Sequence, residues 1–460
     1  MNGLLNSKRF LNLFLLFILI QPVIDILTTY SLVQLESNTT FGVLIRILYM
    51  FIGVFFILIN VPRSKLAKNS FIYLLILGAF VVLNIGLNYF IKSPYYIGQE
   101  IKFFIKVVYV NIVFLNFILV LKLMKEKGMN HVSKSLKYVL ISSLIISVTM
   151  IISLLTNTSL ESYESAKIGY TGWFFAGNEI GAIIAIILPI ICLYAIRKTK
   201  TLKDVYYWIP VILASLSLLM LGTKVGYGAI LIVLLASSFV SAIVYWKTRS
   251  NKDSKSNLVI SLALLVMFLL STPFTPVFNN INVHLGFLGF DTNEQVDDGS
   301  QADDDSESKE EKKLNSKQMQ NLILSSREEF LAHHTEDYMD SPMLQKIFGL
   351  GFAGNYDEPE PKMIEMDFFD LFFSFGIIGF IIFIAPIIFF LVKTAKIIFK
   401  NFSRFLEPSY VLLATSIILT LGIAYFAGHV FTAPSVSIYF ALIFALFVVE
   451  TGKPQKETNK

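Results

Sequence analysis

Apolar runs of about twenty residues recur along this chain, parted by short polar breaks. They fall at about 10–32, 41–60, 71–91, 101–121, 138–156, 173–196, 205–222, 225–246, 257–276, 368–392, 409–427 and 434–450. Each is long enough to cross a hydrocarbon layer of about 30 Å as a helix. The pattern predicts an all-α polytopic membrane protein with twelve spans. The first run follows Lys8-Arg9 as in a signal peptide, but no small-residue cleavage site closes it, so it reads as a retained helix. One gap stands apart from the rest. Between residues 277 and 367 the chain leaves the apolar pattern for a long acidic loop. The chain therefore divides into 1–276 (nine spans), 277–367 (the loop), 368–450 (three spans) and 451–460 (a tail).

Basic residues give the orientation. Alternate connections carry Arg63/Lys65/Lys68, Lys122/Lys125/Lys127, Arg197/Lys198/Lys200, Lys247/Arg249/Lys252 and Lys393/Lys396/Lys400, whereas the opposite ones at 33–40, 92–100 and 157–172 hold only Lys92 and Lys167. Lysine and arginine stay on the cytoplasmic side, so both termini are expected there, with the long loop extracytoplasmic. Residues 291–317 are rich in Asp, Glu, Lys, Ser and Gln and read as a flexible, solvated insert, within which deletion of 291–308 would be tolerated. From 319 to 350 apolar residues return at helical spacing (Leu322, Ile323, Phe330, Leu331, then Met343, Leu344, Ile347, Phe348). They predict one or two helices roofing the bundle.

Composition agrees with a membrane class. Of 460 residues, 55% are hydrophobic and 14% aromatic, and mean hydropathy is +0.66. An ordinary soluble protein is excluded. The single cysteine, Cys192, lies inside an apolar run and has no partner for an internal disulfide. A pI near 8.9 does not point to nucleic acid, because the topogenic loops account for the basic residues.

Cations on the loop side need another explanation. Arg46 lies a turn inside the second span, Lys102 and Lys106 share a face of the fourth, Lys224 sits in the turn Leu221-Gly222-Thr223-Lys224-Val225-Gly226, and Arg327 is in the loop. Local pairing is one account, with Asp25 neutralising Arg46 and Glu100 neutralising Lys102. Convergence on a polyanion is the other, and the anion at a bilayer surface is a lipid phosphate or diphosphate. Groups able to move protons lie at the same level: His333, His334, Glu365, Asp367, Asn178, Glu179 and His429. None shows metal-ligand spacing such as HExxH, and no metal or cofactor is expected.

Ordered motifs carry a resemblance. Gly172-Trp173-Phe174-Phe175-Ala176-Gly177-Asn178-Glu179-Ile180-Gly181 precedes Leu221-Gly222-Thr223-Lys224-Val225-Gly226-Tyr227-Gly228; then come Ser326-Arg327, Ile347-Phe348-Gly349-Leu350-Gly351, Asp367-Phe368-Phe369 and Phe375-Gly376-Ile377-Ile378-Gly379. In this order the chain resembles the O-antigen ligase and polymerase superfamily, with a compatible start at Gln21-Pro22-Val23-Ile24-Asp25. The resemblance implies a GT-C-like glycosyltransferase membrane fold in a bacterial cytoplasmic membrane. It implies metal-independent, inverting transfer of glycan from an undecaprenyl-diphosphate-linked donor to an acceptor glycan hydroxyl. On that reading Arg46, Lys224 and Arg327, with Lys102 and Lys106 nearby, bind the diphosphate. The base comes from Asp367, Glu365, His333 or His334, with Asp25, Asn178, Glu179 and His429 in support. Membrane lipids, a flippase and a chain-length regulator are the implied partners.

Two departures stand out. Lys224 occupies a position where the superfamily more usually has arginine, and carboxylates stand where it often has histidine. Polymerisation of repeat units for a capsule or similar polymer is the favoured activity. Ligation to another acceptor, or export of a lipid-linked sugar by a twelve-span transporter, are the alternatives. Transporters gather their binding groups near the bilayer midplane, which is nearly uncharged here.

Overall fold

The computed structural model describes residues 7–37, 40–163, 167–248, 252–287, 327–356, 362–400 and 402–452. The acidic insert 291–317 and the apolar pair Leu322 and Ile323 lie outside these residues. Among the described residues twelve helices are long and apolar enough to cross a membrane. In chain order they are Lys8–Val33, Phe41–Asn60, Lys65–Ile91, Ile97–Glu126, His131–Leu155, Gly177–Lys198, Leu202–Met220, Lys224–Lys247, Asp253–Phe274, Asp367–Lys400, Pro408–Phe426 and Pro434–Thr451. The protein is an all-α polytopic membrane protein. In lipid every backbone amide must find its partner inside the segment, which is why an apolar run of this length becomes a helix.

Spans 4, 6 and 12 form the buried centre. Span 12 packs along span 4, where Phe114 stacks on Phe444 with ring centroids 4.7 Å apart. Spans 3 and 9 lie at the periphery and turn most of their surface outward. Several entries are capped by hydroxyl side chains. Ser7, Thr40, Ser64 and Thr223 accept hydrogen bonds from Phe10, Val43, Ala67 and Gly226 amides, taking up donors that a helix start leaves open.

The loop side carries the smaller elements. A two-strand hairpin pairs Leu160–Glu161 with Tyr170–Gly172. A helix at Pro276–Phe287 follows span 9, and helices at Arg327–Asp340 and Met343–Phe348 precede span 10. Phe330 and Leu331 fall on the first of these two, and Met343, Leu344, Ile347 and Phe348 on the second.

How the loop returns to the bundle explains the glycine motif. Span 10 is broken at Gly376 (φ 63°, ψ −174°). The break lets Phe373 and Ser374 carbonyls accept from Leu350 and Gly351 amides at 2.9 and 3.0 Å. A Cβ on Gly349 would stand 2.2 Å from the Ser374 carbonyl oxygen, so no side chain fits there. Asn88 donates to the Gly349 carbonyl at 3.0 Å, and Asn84 to the Ser374 carbonyl at 3.1 Å. The strip Phe348-Gly349-Leu350-Gly351-Phe352, with positive φ at both glycines, is thus docked into the break.

A buried ion pair closes the strip. Lys92 Nζ lies 2.7 Å from Glu100 and donates to the Phe352 carbonyl at 3.0 Å, while Glu100 accepts from the Phe352 amide at 2.7 Å. This corrects the expectation that Glu100 neutralises Lys102, which is exposed. Removing one partner of a fully buried pair leaves an uncompensated charge and costs about 3–5 kcal/mol. Glu100→Ala is therefore expected to lower the melting temperature and open the loop to protease; an unchanged melting curve would contradict the clasp.

Candidate active site

Two carboxylates in the first turn of span 10 build the site by pinning two separate loops. Asp367 is fully buried and accepts from Val430 and Phe431 amides at 2.7 and 2.8 Å and from the Thr432 hydroxyl at 2.8 Å. Asp370 reaches back to accept from Ile364 and Met366 amides at 2.9 and 3.0 Å. Glu365 sits between those last two residues and His429 immediately precedes the first pair. Both take left-handed backbone conformations (φ 62° and 60°), which non-glycine residues adopt at a cost of about 1–3 kcal/mol and mostly at functional sites. Gly428 allows the approach, since a Cβ there would lie 2.5 Å from the Glu365 carbonyl oxygen.

Held in this way, Glu365 and His429 meet. His429 Nε2 is 3.5 Å from Glu365 Oε2, and Arg327 Nη2 donates to the same oxygen at 3.2 Å. Asn178 Nδ2 lies 3.5 Å from the same His429 Nε2. The hydrogen bond from His429 holds the Glu365 carboxyl below its usual pKa against the effect of burial, with Arg327 adding to the lowering. Burial works against charge on His429, yet the Glu365 hydrogen bond and charge outweigh it and raise its pKa. The two form an ion pair in which Glu365 Oε1 takes none of these contacts.

Three adjoining cavities open around this pair. The first, about 240 Å³, is lined by Lys167, Lys224, Arg327, Asn178 and Tyr163. The second, about 720 Å³, holds Glu365, His429, Arg327, Asp370, Lys102 and Lys106. The third, about 460 Å³, holds Arg46, Asp25, Lys102, Lys106 and Glu179 above an apolar wall. Arg327 is common to the first and second, and Lys102, Lys106 and Glu179 to the second and third. All five cations singled out in the sequence face this system.

They do not meet at one point. Asn178, Gly181 and Ala182 present one face of span 6 to the first cavity, while Glu179, Ile180 and Ile183 present the other to the third. Span 6 thus separates Lys224 from Arg46. Arg46 is buried and held by Gln21 at 3.0 and 3.2 Å and by an ion pair with Asp25, as expected of that pair. Glu179 is bonded to the Ser435 hydroxyl.

The first cavity has the make-up of an anion site. Spans 6 and 8 both begin on it, through Gly177 and Asn178 and through Thr223, Lys224 and Val225. Helix starts present open amides and the positive end of the helix dipole. Asn280 fixes the turn between spans 7 and 8, donating to Ile168 and Gly222 carbonyls at 2.7 and 3.0 Å. Lys224 Nζ lies 3.2 Å from His284 Nδ1.

Three candidate bases are displaced by this geometry. Asp367 points into the span 11–12 turn with its lone pairs engaged, so it is an anchor. Asp367→Asn is expected to lower thermal stability through hydrogen bonds worth about 1.5–3 kcal/mol each when charged; intact stability with lost turnover would restore it as the base. His333 is largely exposed and 3.9 Å from Asp337. His334 is a buried residue of the loop helix Arg327–Asp340, its Nδ1 2.9 Å from the Phe330 carbonyl, and burial lowers its pKa. Neither lines the cavities described. Lys167, Asp370 and Asn280 escaped the sequence reading. Lys167 had a signal, as one of two basic residues in the short loops on its side.

Among the described residues no group of three His, Cys, Asp or Glu side chains is placed to hold a metal ion. No curated protein matches the chain. The model of one family, described as O-antigen ligase like membrane protein, matches residues 7–453. That match spans nearly the whole chain, and this multi-pass membrane protein belongs to the O-antigen ligase like family, whose members are membrane glycosyltransferase-like enzymes of surface-polysaccharide assembly.

Proposed function

We propose that the protein is a polymerase of bacterial cell-surface polysaccharide, working at the outer face of the cytoplasmic membrane with both termini inside. The observation that carries this reading is the junction of an anion site with a carboxylate–histidine pair. The first cavity offers two helix starts, Lys167, Lys224 and Arg327, and it borders the second cavity, where Glu365 and His429 lie.

In this reading the diphosphate of an undecaprenyl-linked glycan lies in the first cavity, with its sugar turned toward Glu365. An acceptor sugar hydroxyl approaches from the second cavity. Glu365 Oε1 takes the hydroxyl proton as the oxygen attacks the anomeric carbon. The bond from that carbon to the diphosphate oxygen breaks, its electron pair leaves with the diphosphate, and the configuration inverts. Lys224 and Arg327 stabilise the charge that develops on the leaving group. Lys224 does so as a point charge, without the paired hydrogen bonds of an arginine. Arg327 contacts Glu365, so an arriving diphosphate draws it away and leaves the carboxylate a stronger base. Cationic side chains supply the countercharge, and no metal is invoked.

The ion pair sets a pH window. A depressed Glu365 stabilises the fold above its unfolded pKa of about 4.3 and loses that contribution as pH falls through its folded value; an elevated His429 contributes below about 6.5 and loses it as pH rises through its folded value. His429→Gln removes the largest influence lowering Glu365. Its acid limb of rate against pH is expected at higher pH than in the parent protein; an unmoved limb would separate the two residues.

The proposal is tested by reconstituting the purified protein in liposomes with its host's undecaprenyl-diphosphate repeat units, in the presence of EDTA. A ladder of lengthened lipid-linked glycans is expected. No ladder, or one that needs an added divalent cation, would overturn the respective part.

A further inference from the structure

We infer that the second cavity selects an acidic glycan, one whose sugars carry carboxylate or phosphate groups. The inference rests on the polymerase reading above and names the substrate class of that same site. The acceptor sugars enter this cavity on the way to Glu365, so its walls decide which sugars are held.

The charge of those walls is unbalanced. Lys102, Lys106, Lys362 and Arg327 face the cavity against Glu179, Glu365 and Asp370. Each carboxylate is already engaged: Glu365 by His429 and Arg327, Asp370 by two backbone amides, and Glu179 by the Ser435 hydroxyl. The three lysines are exposed, and among the described residues they enter no ion pair. Lys102 and Lys106 stand one turn apart on one face of span 4, where like charges repel and an anion between them removes the repulsion. Lys362 comes from a separate element, the loop return, three residues ahead of Glu365. A cleft lined by one sign of charge concentrates counter-ions from the water outside.

The other wall residues mark sugars as the carriers of that counter-charge. Phe103, Phe330 and Phe352 line the same cavity, aromatic surface against which the C–H faces of sugar rings can lie. Gln99 brings an amide that both donates and accepts, as sugar hydroxyls require. A small inorganic anion has no use for the aromatic wall, and a lipid tail has none for the amide. Lysines on span 4 and on the loop return suit acid groups borne by successive sugars. Lysine is a point charge without the paired geometry of arginine, so carboxylate and phosphate are both accepted. Lys362 ties recognition to the reaction, because an acid group held there brings its own sugar alongside Glu365.

The test measures binding of trigalacturonate, an acidic trisaccharide, and of its carboxyl-reduced counterpart to the full chain in phosphatidylcholine nanodiscs. Trigalacturonate is expected to bind, less tightly as salt rises, and the reduced sugar about tenfold more weakly. Lys102→Gln and Lys362→Gln are each expected to weaken the acidic sugar by about 2- to 5-fold. Farnesyl diphosphate, a probe of the first cavity, should still bind Lys362→Gln and so report an intact fold. Equal binding of the two sugars, binding of neither, or acidic binding untouched by both substitutions would overturn the inference. A second measurement keeps it apart from the polymerase reading. The surface polymer lost on deleting the gene is expected to be acidic, its charge removed by cold hydrogen fluoride if phosphate diester and by carboxyl reduction if uronic acid. Loss of a neutral polymer would overturn the acidic substrate and leave the polymerase standing. Loss of no polymer would sink the polymerase, and the trigalacturonate result would still decide what the cavity holds.

Discussion

Glu365→Gln is expected to slow polymerisation by about 100- to 10,000-fold, the usual contribution of a positioned general base. The substitution keeps the side chain's shape and an oxygen that accepts from Arg327, so what it removes is the capacity to take a proton. Farnesyl diphosphate binding is expected to stay near that of the parent protein, which separates chemistry from assembly. The steric setting favours this outcome. Glu365 is half exposed to the second cavity, and both contacts described for it fall on Oε2. A rate close to that of the parent would move the base to His429, the other titratable group of the pair. Full activity in both single variants would remove proton abstraction from this corner of the molecule.

Arg327→Ala is expected to lower the rate by about 100- to 1,000-fold, the range for removing one preorganised charge at a developing oxyanion. Its position on the wall between the first two cavities gives it two roles, holding Glu365 before the donor arrives and the diphosphate afterwards. Loss of the guanidinium is therefore expected to weaken farnesyl diphosphate binding as well as turnover, while membrane insertion is retained. Arg327→Lys should recover part of the binding, because a point charge remains, but little of the bidentate geometry. Polymer of normal length and amount from Arg327→Ala would contradict the donor assignment.

Much of the architecture was legible in the chain because a bilayer leaves few choices. Twelve apolar runs become twelve spans when every backbone group must be satisfied internally. The Asp25–Arg46 pair was also within reach, since both residues interrupt apolar runs near one end of neighbouring spans. The site was less so, for reasons that concern tertiary contacts. Asp367 and Glu365 are two residues apart and chemically alike in sequence, yet one is sealed by three donors from the 430–432 turn and the other faces a cavity. That difference is decided by a segment more than sixty residues downstream. Histidine, missing from the loop's return, is supplied from that same turn as His429. The five cations face one system of adjoining cavities, but only packing shows that span 6 stands between Lys224 and Arg46. Phe348-Gly349-Leu350-Gly351-Phe352 pairs with the broken tenth span because Gly376 frees two carbonyls, a contact that no local pattern announces.

Deleting the gene in its host and sizing the lipid-linked glycans beside the surface polysaccharide bears most directly on polymerase activity. Single repeat units accumulating on their lipid, with long polymer lost and restored by the parent protein but not by Glu365→Gln, are the predicted result. Full-length polymer stranded on its lipid would contradict it in favour of a ligase, and an unaltered glycan profile would contradict both.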